Sequence, residues 1–172
     1  ACNIDFNQKT ENNTENQTEN QTENQTTIPE KKSDKVNLLM LNDTHGAFSD
    51  STDGYSIGRV VTLLDTLEGK NGDYIKVANG DMLQGSYLAS KTYGYAIIEA
   101  LNLMEFDAFV LGNHEFDWGL DKIAKYKDGD LTNGEANFPF LGANIFYKGT
   151  NKRPDWIDPY TIVDYNGLKV GI

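Results

Sequence analysis

The sequence predicts an α/β fold built on a parallel β-sheet. Short apolar runs alternate along the chain with stretches in which apolar residues recur every three or four positions. Polar clusters directly follow three of the apolar runs, and a parallel sheet brings such strand ends to one edge. The 172 residues are enough for one domain, and 38% hydrophobic residues are enough for a core.

The apolar runs give the predicted strands. Four of them are short and continuous, as buried strands are, and they cover residues 36–41, 74–78, 108–111 and 138–141. Two further runs, 160–165 and 168–172, flank Asn166-Gly167, which is a strong signal for a β-hairpin.

Three amphipathic stretches between the strands predict helices. Ser56 is a candidate N-cap for the first helix. The three apolar stripes comprise Ile57, Val60, Val61, Leu64 and Leu67; Ile97, Ala100, Leu101 and Met104; and Leu120, Ile123 and Ala124.

The first 35 residues differ in composition from the rest. Between Asn7 and Thr27 no residue is apolar, and Thr-Glu-Asn-Gln repeats with a period of four. Such a segment buries nothing to offset the entropy cost of ordering it, so residues 1–35 are predicted to be a disordered tether ahead of a folded part at 36–172.

Cys2 lies at the start of this tether. Ala1-Cys2 followed by a long polar segment resembles the remnant of a bacterial lipoprotein site, which makes Cys2 a candidate lipidation residue. The alternative is a lone thiol near a chain end. The lipoprotein interpretation predicts an extracytoplasmic protein, anchored to the bacterial cell surface and touching the membrane only through its lipid.

Composition argues against several other classes of protein. The formal net charge of −11 disfavours sequence-independent binding to nucleic acid, because phosphate backbones attract lysine and arginine clusters. The single cysteine excludes an internal disulfide and a multi-cysteine zinc site. No apolar run approaches the roughly 20 residues that a membrane-spanning helix needs.

The polar clusters carry the candidate chemistry. They lie 38 and 32 residues apart, counted from Asp43 to Asp81 and from Asp81 to Asn113, which is about one strand–helix unit each. The three clusters are Asp43-x-His45, Gly80-Asp81 and Gly112-Asn113-His114-Glu115.

These residue types are ligands for divalent metals such as Mn, Zn, Fe or Co. Residues two apart on an extended chain point to the same side, so Asp43 and His45 are expected to face one metal together. Asp81 has two oxygens with which to bridge two metals, and Asn113 offers a neutral oxygen. Two such ions clamp a phosphate and activate a water molecule.

The ordered clusters resemble the motifs of the calcineurin-like metallophosphoesterase superfamily. Longer stretches are similar to the bacterial 5'-nucleotidase branch, which includes 2',3'-cyclic phosphodiesterases and nucleotide-sugar hydrolases. These stretches are Leu41-Asn42-Asp43-Thr44-His45-Gly46, Asn79-Gly80-Asp81, Gln84-Gly85-Ser86, Gly112-Asn113-His114-Glu115-Phe116-Asp117-Trp118-Gly119 and Gly142-Ala143-Asn144.

The resemblance implies a four-layer αββα sandwich, of which residues 36–172 form the N-terminal portion. It implies two divalent ions, the first held by Asp43, His45 and Asp81, and the second by Asp81 and Asn113.

The resemblance also implies two catalytic residues. His114 stabilises the charge that develops in the transition state or protonates the leaving oxygen, and Asp117 orients and polarises His114. An alternative role for Asp117 is that of helix N-cap ahead of residues 120–124.

The implied activity is hydrolysis of nucleotide phosphomonoesters. The later Gly-His and Gly-His-x-His motifs of this family and the base-stacking C-terminal domain of its 5'-nucleotidase branch are not in the 172 residues, so this chain by itself is expected to hold part of an active site. Two alternatives stay open. One is a metallophosphoesterase for phosphoproteins, phospholipids or DNA ends; the other is an inactive, surface-anchored binding module.

Overall fold

A computed structural model describes residues 35–47 and 56–172 of the chain. Cys2 and the predicted tether, apart from Lys35, lie outside these residues. Among the helices that are described, none is both long and apolar enough to cross a bilayer.

Four parallel strands form one sheet, as the sequence predicts. Their order in the sheet follows their order in the chain, and every neighbouring pair is parallel. All four carboxyl ends therefore lie at the same edge. The strands are β1 (Leu38–Leu41), β2 (Ile75–Asn79), β3 (Ala108–Val110) and β4 (Phe140–Leu141).

Helices connect the strands. They are α1 (Ile57–Asn71), α2 (Tyr87–Lys91), α3 (Tyr95–Leu103) and α4 (Leu120–Ala124). The predicted cap of α1 is confirmed, since Ser56 Oγ accepts a hydrogen bond from the Arg59 backbone N–H. Helix α2 was not among the predicted elements.

The helix predicted from the first apolar stripe is confirmed, and the stripe is buried only in part. Ile57 and Leu64 are buried, but Val61 is 39% exposed. At about 100° per residue, Val61 lies on one flank of the stripe.

Alternate residues of the sheet face two separate cores. Ala78, Phe109 and Phe140 join a core that contains the buried side of α3. Their neighbours along the strands join a second core with Tyr165, and these neighbours are Ile75, Val77, Ala108 and Leu141. Because successive side chains in a strand point to opposite faces, the two cores lie on opposite sides of the sheet.

The second core is covered by the predicted hairpin. Strands β5 (Ile162–Tyr165) and β6 (Leu168–Gly171) pair antiparallel around Asn166-Gly167. The hydroxyl of Tyr165 donates a hydrogen bond to the Asp73 carbonyl at 2.8 Å, next to β2. The described chain therefore stacks helices, a parallel sheet and a β-hairpin in succession, which are the first three layers of an αββα arrangement.

Candidate active site

The loops after β1 and β2 are joined to each other by backbone hydrogen bonds. Asp43 N–H donates to the Gly80 carbonyl at 3.0 Å, and His45 N–H donates to the Asp81 carbonyl at 3.0 Å. The two loops therefore run side by side beyond the strands, and they bring two of the predicted polar clusters together.

The backbone of these loops is left-handed at three predicted metal ligands. The φ angles are 54° at Asp43, 46° at His45 and 53° at Asp81. The expectation that an extended chain aligns Asp43 with His45 is therefore wrong, because both residues follow β1 in a turn. Non-glycine residues adopt this conformation at a cost, and such residues concentrate at functional sites.

Three side chains converge into a donor set for a metal. His45, Asp81 and His114 each offer a ligand atom, and these atoms all lie within 4.8 Å of one another. The two imidazole rings meet edge to face at 5.1 Å between centroids. The Asp43 carboxylate lies next to His45, with Oδ1 3.9 Å from His45 Nε2. Carboxylate and imidazole ligands together fit Mn, Zn, Fe or Co.

In each imidazole, Nδ1 lies within hydrogen-bond distance of an oxygen that orients the ring. His45 Nδ1 lies 3.2 Å from the Gln84 carbonyl, and His114 Nδ1 lies 2.8 Å from Asp117 Oδ2. A carbonyl oxygen only accepts hydrogen bonds, so His45 Nδ1 is the donor, and Nε2 is the nitrogen left to face a metal. This is the usual support for a metal-binding histidine.

Asp117 also changes the acidity of His114. The hydrogen bond from the imidazolium to the Asp117 carboxylate raises the pKa of His114 above its ordinary 6.5, and the charges of Asp81 and Glu115 act in the same direction. Partial desolvation of the ring opposes them. The protonated form of His114 therefore persists to higher pH.

Asp117 is not the N-cap of α4. The N-cap of α4 is Gly119, without a side-chain hydrogen bond, so the capping alternative is wrong. Asp117 lies instead at the end of a short 3-10 helix, His114–Phe116, where its carboxylate meets His114. Asn113 directly precedes this helix and is exposed.

The sequence matches the calcineurin-like phosphoesterase family over residues 36–170. The chain belongs to this family. It is 34% identical over 146 residues to the 5'-nucleotidase of Vibrio cholerae, covering 82% of this chain and 25% of that protein. It is 30% identical over 161 residues to the trifunctional nucleotide phosphoesterase YfkN of Bacillus subtilis, covering 79% of this chain and 11% of that protein.

Solved structures are similar as well. The 5'-nucleotidase precursor of Thermus thermophilus superimposes with a TM-score of 0.64 at 25% identity, over 79% of this chain and 27% of that one. The NAD nucleotidase NadN of Haemophilus influenzae gives a TM-score of 0.59 at 26% identity, over 79% and 25%. The α/β fold predicted from the sequence is thus confirmed. The chain spans about a quarter or less of the length of these relatives.

Membership in this metallophosphoesterase family implies a divalent metal, and the His45–Asp81–His114 donor set is where the chain offers a place for one. Asp81 is tied into the set by its own side chain, since Oδ1 accepts the His114 backbone N–H at 2.9 Å.

Glu115 is the residue in this calcineurin-like site to which sequence reasoning assigned no role. It is 1% exposed, and its carboxylate bonds to backbone N–H groups on both sides of the site. The available signal was its charge, because acidic residues are rarely buried without partners.

Proposed function

We propose that this chain carries catalytic residues of a metal-dependent phosphoesterase that hydrolyses nucleotide phosphomonoesters. The observation that carries the proposal is the convergence of His45, Asp81 and His114 within 4.8 Å, at the carboxyl edge of the sheet, in a chain of the calcineurin-like family. Ligands bind beyond the carboxyl ends of strands in sheets of this kind.

The ligand assignment follows the donor types. Asp43, His45 and Asp81 would hold a first divalent ion, and Asp81 and Asn113 would contribute to a second. When bound, such ions polarise phosphoryl oxygens and activate water. Their charge also matters for recognition, since a chain with net charge −11 otherwise repels an anionic substrate.

His114 acts on the leaving oxygen. Its Nδ1 is occupied by Asp117, so Nε2 is the nitrogen that delivers a proton or stabilises the departing negative charge. Asp117 acts through His114: its hydrogen bond fixes the ring and raises the pKa of His114.

The substrate class rests on the relatives. The Vibrio cholerae and Thermus thermophilus proteins are named 5'-nucleotidases, and the Bacillus subtilis protein is named a nucleotide phosphoesterase. A nucleoside monophosphate is therefore the first substrate to test. Cyclic 2',3'-nucleotides and nucleotide sugars are the next substrates to test.

The test is phosphate release from AMP in the presence of Mn²⁺, with the Asp81→Asn variant as the control. Where the wild type turns AMP over, we expect no turnover by the variant, because the substitution removes the charged carboxylate that both ions would share. Turnover that is equal in the two proteins would overturn the assignment of Asp81. A wild type that hydrolyses phosphoproteins or phospholipids but not AMP would move the enzyme to another substrate class.

A further inference from the structure

Glu115 holds four backbone N–H groups with one carboxylate. Oε1 accepts from Met82 at 2.8 Å and from Leu83 at 3.2 Å. Oε2 accepts from Gly112 at 2.8 Å and from Asp81 at 2.9 Å. Four bonds use the full accepting capacity of a carboxylate. This arrangement explains how the charge is accommodated in a residue that is 1% exposed.

The four donors come from two of the three loops that carry the site. Asp81, Met82 and Leu83 follow β2, whereas Gly112 follows β3. Glu115 thus links the loop of one site residue, Asp81, to the loop that presents His114.

A second hydrogen bond links the same two loops in the opposite direction. The side chain of Asp81 accepts the backbone N–H of His114 at 2.9 Å, while the side chain of Glu115 accepts the backbone N–H of Asp81. Each loop therefore supplies one carboxylate that binds the backbone of the other. The left-handed conformation of Asp81, with φ of 53°, is held between these two bonds.

Gly112 shows how close the loops are. A β-carbon at this position would lie 2.7 Å from the Asp81 nitrogen and 3.0 Å from Glu115 Oε2. A real side chain there would push the two loops apart. Gly112 therefore permits the close approach of the two loops, and Glu115 bonds to both of them.

We propose that Glu115 is a positioning residue, which fixes the backbone of Asp81 so that the Asp81 carboxylate stays within ligand distance of His45 and His114. It touches neither substrate nor metal and acts through Asp81. The expected effect on metal binding and activity rests on the proposed metal-dependent function. The role of Glu115 in fixing the backbone of Asp81 does not depend on a bound metal.

The test is the Glu115→Gln variant of the full chain. Glutamine has nearly the same shape, but its NH₂ group meets two backbone N–H donors where Glu115 offered an oxygen. We expect Mn²⁺ affinity to fall by about 10–100-fold, as it does when groups that support metal ligands are changed. In the metal-free protein, amide hydrogen exchange at Asp81, Met82 and Gly112 becomes about tenfold faster, because the local opening loses charge-assisted bonds.

Glu135→Gln is the matched control. The Glu135 carboxylate also accepts a backbone N–H, from Gly129 at 3.0 Å, and it lies 3.9 Å from the Lys127 ammonium. It belongs to neither of the two site loops. We expect its substitution to leave Mn²⁺ affinity and the exchange of the Asp81 amide unchanged.

A Glu115→Gln protein with wild-type Mn²⁺ affinity and wild-type exchange at these amides overturns the inference. If the variant does not fold, Glu115→Asp replaces it, because the shorter side chain keeps the charge but does not reach all four backbone N–H groups. The same loss of Mn²⁺ affinity is expected, and unchanged affinity overturns the inference. A wild type that binds no Mn²⁺ removes the proposed function, whereas the exchange measurement still decides the role of Glu115.

Discussion

Gly85 touches the backbone of His45, and this contact restricts which residue position 85 accepts. A β-carbon at Gly85 would lie 2.8 Å from the His45 Cβ and 2.9 Å from its carbonyl carbon, and φ at Gly85 is 144°. The neighbouring residues hold His45 as well, through the Gln84 carbonyl on Nδ1 and the Ser86 N–H on the His45 carbonyl at 2.9 Å. The turn at residues 84–86 therefore sets the position of the His45 imidazole.

We predict that Gly85→Ala weakens Mn²⁺ binding by about tenfold or more, because the added methyl group displaces His45 from Asp81. Isothermal titration with Mn²⁺ measures the effect. Gly149→Ala is the control, since Gly149 also has a positive φ of 75° but has open space around its Cβ position. Equal losses in the two variants would assign the effect to backbone strain and not to the contact with His45.

The hydrogen bond between His114 and Asp117 makes the stability of the protein and proton donation by His114 depend on pH. The pKa of His114 is raised in the folded protein, chiefly by the hydrogen bond to Asp117. The stabilising contribution of the pair is therefore complete below about pH 6.5, the unfolded value, and is lost as the pH rises through the raised folded value. Proton donation by His114 is lost over the same rise in pH.

Asp117→Asn is expected to lower the pKa of His114 and to shift the basic limb of the activity profile to lower pH. An NMR titration of the His114 ring in the metal-free protein measures the pKa, and a pH profile of phosphate release measures the consequence. Asp121→Asn, an exposed change in α4, serves as the control. A His114 titration that is identical in wild type and Asp117→Asn contradicts the assignment.

At the scale of elements, sequence patterns predicted the strands, three of the helices and the hairpin, because these depend on local periodicity and turn residues. Ser56, Gly72 and Asn166-Gly167 are found where such signals place element ends. The five-residue helix α2 escaped prediction because it is too short to show a period. The left-handed turn after β1 and the burial of Glu115 escaped because both depend on hydrogen bonds across 32 to 37 residues of chain.

Tyr126 illustrates how the elements beyond the sheet are fixed. It lies in a short 3-10 helix, Lys125–Lys127, and is fully buried. Its hydroxyl donates to the Tyr93 carbonyl at 2.7 Å, in the turn between α2 and α3, where Tyr93 has a φ of 54°. Burial also raises the pKa of Tyr126, so the phenol stays a donor across the working pH range.

We predict that Tyr126→Phe lowers the free energy of unfolding by about 1–2 kcal/mol, because the Tyr93 carbonyl loses its partner. Urea denaturation measures the change. The matched control is Tyr87→Phe, since Tyr87 is 81% exposed, and we expect a change within about 0.5 kcal/mol. A Tyr126→Phe protein as stable as the control would show that the hydrogen bond contributes nothing net.

At the scale of the whole described domain, the site exists only when the domain is folded. Asp43, Asp81 and Asn113 are separated by 38 and 32 residues, and the folded sheet with the hydrogen bonds between its loops brings them together. Residues so far apart do not form a preorganised site in the unfolded chain. The free energy of metal binding therefore adds to the free energy of folding.

Mn²⁺ is accordingly predicted to stabilise the protein against urea. At a free concentration about 100 times the dissociation constant, a ligand that binds only the folded state contributes about 2.7 kcal/mol. The measurement compares unfolding with Mn²⁺ and with a chelator, for the wild type and for Asp81→Asn. The variant retains an oxygen that can accept the His114 N–H, so it is expected to fold but to gain little from Mn²⁺. Equal stabilisation of both proteins would place the bound ion away from Asp81, and would remove the central residue of the proposed site.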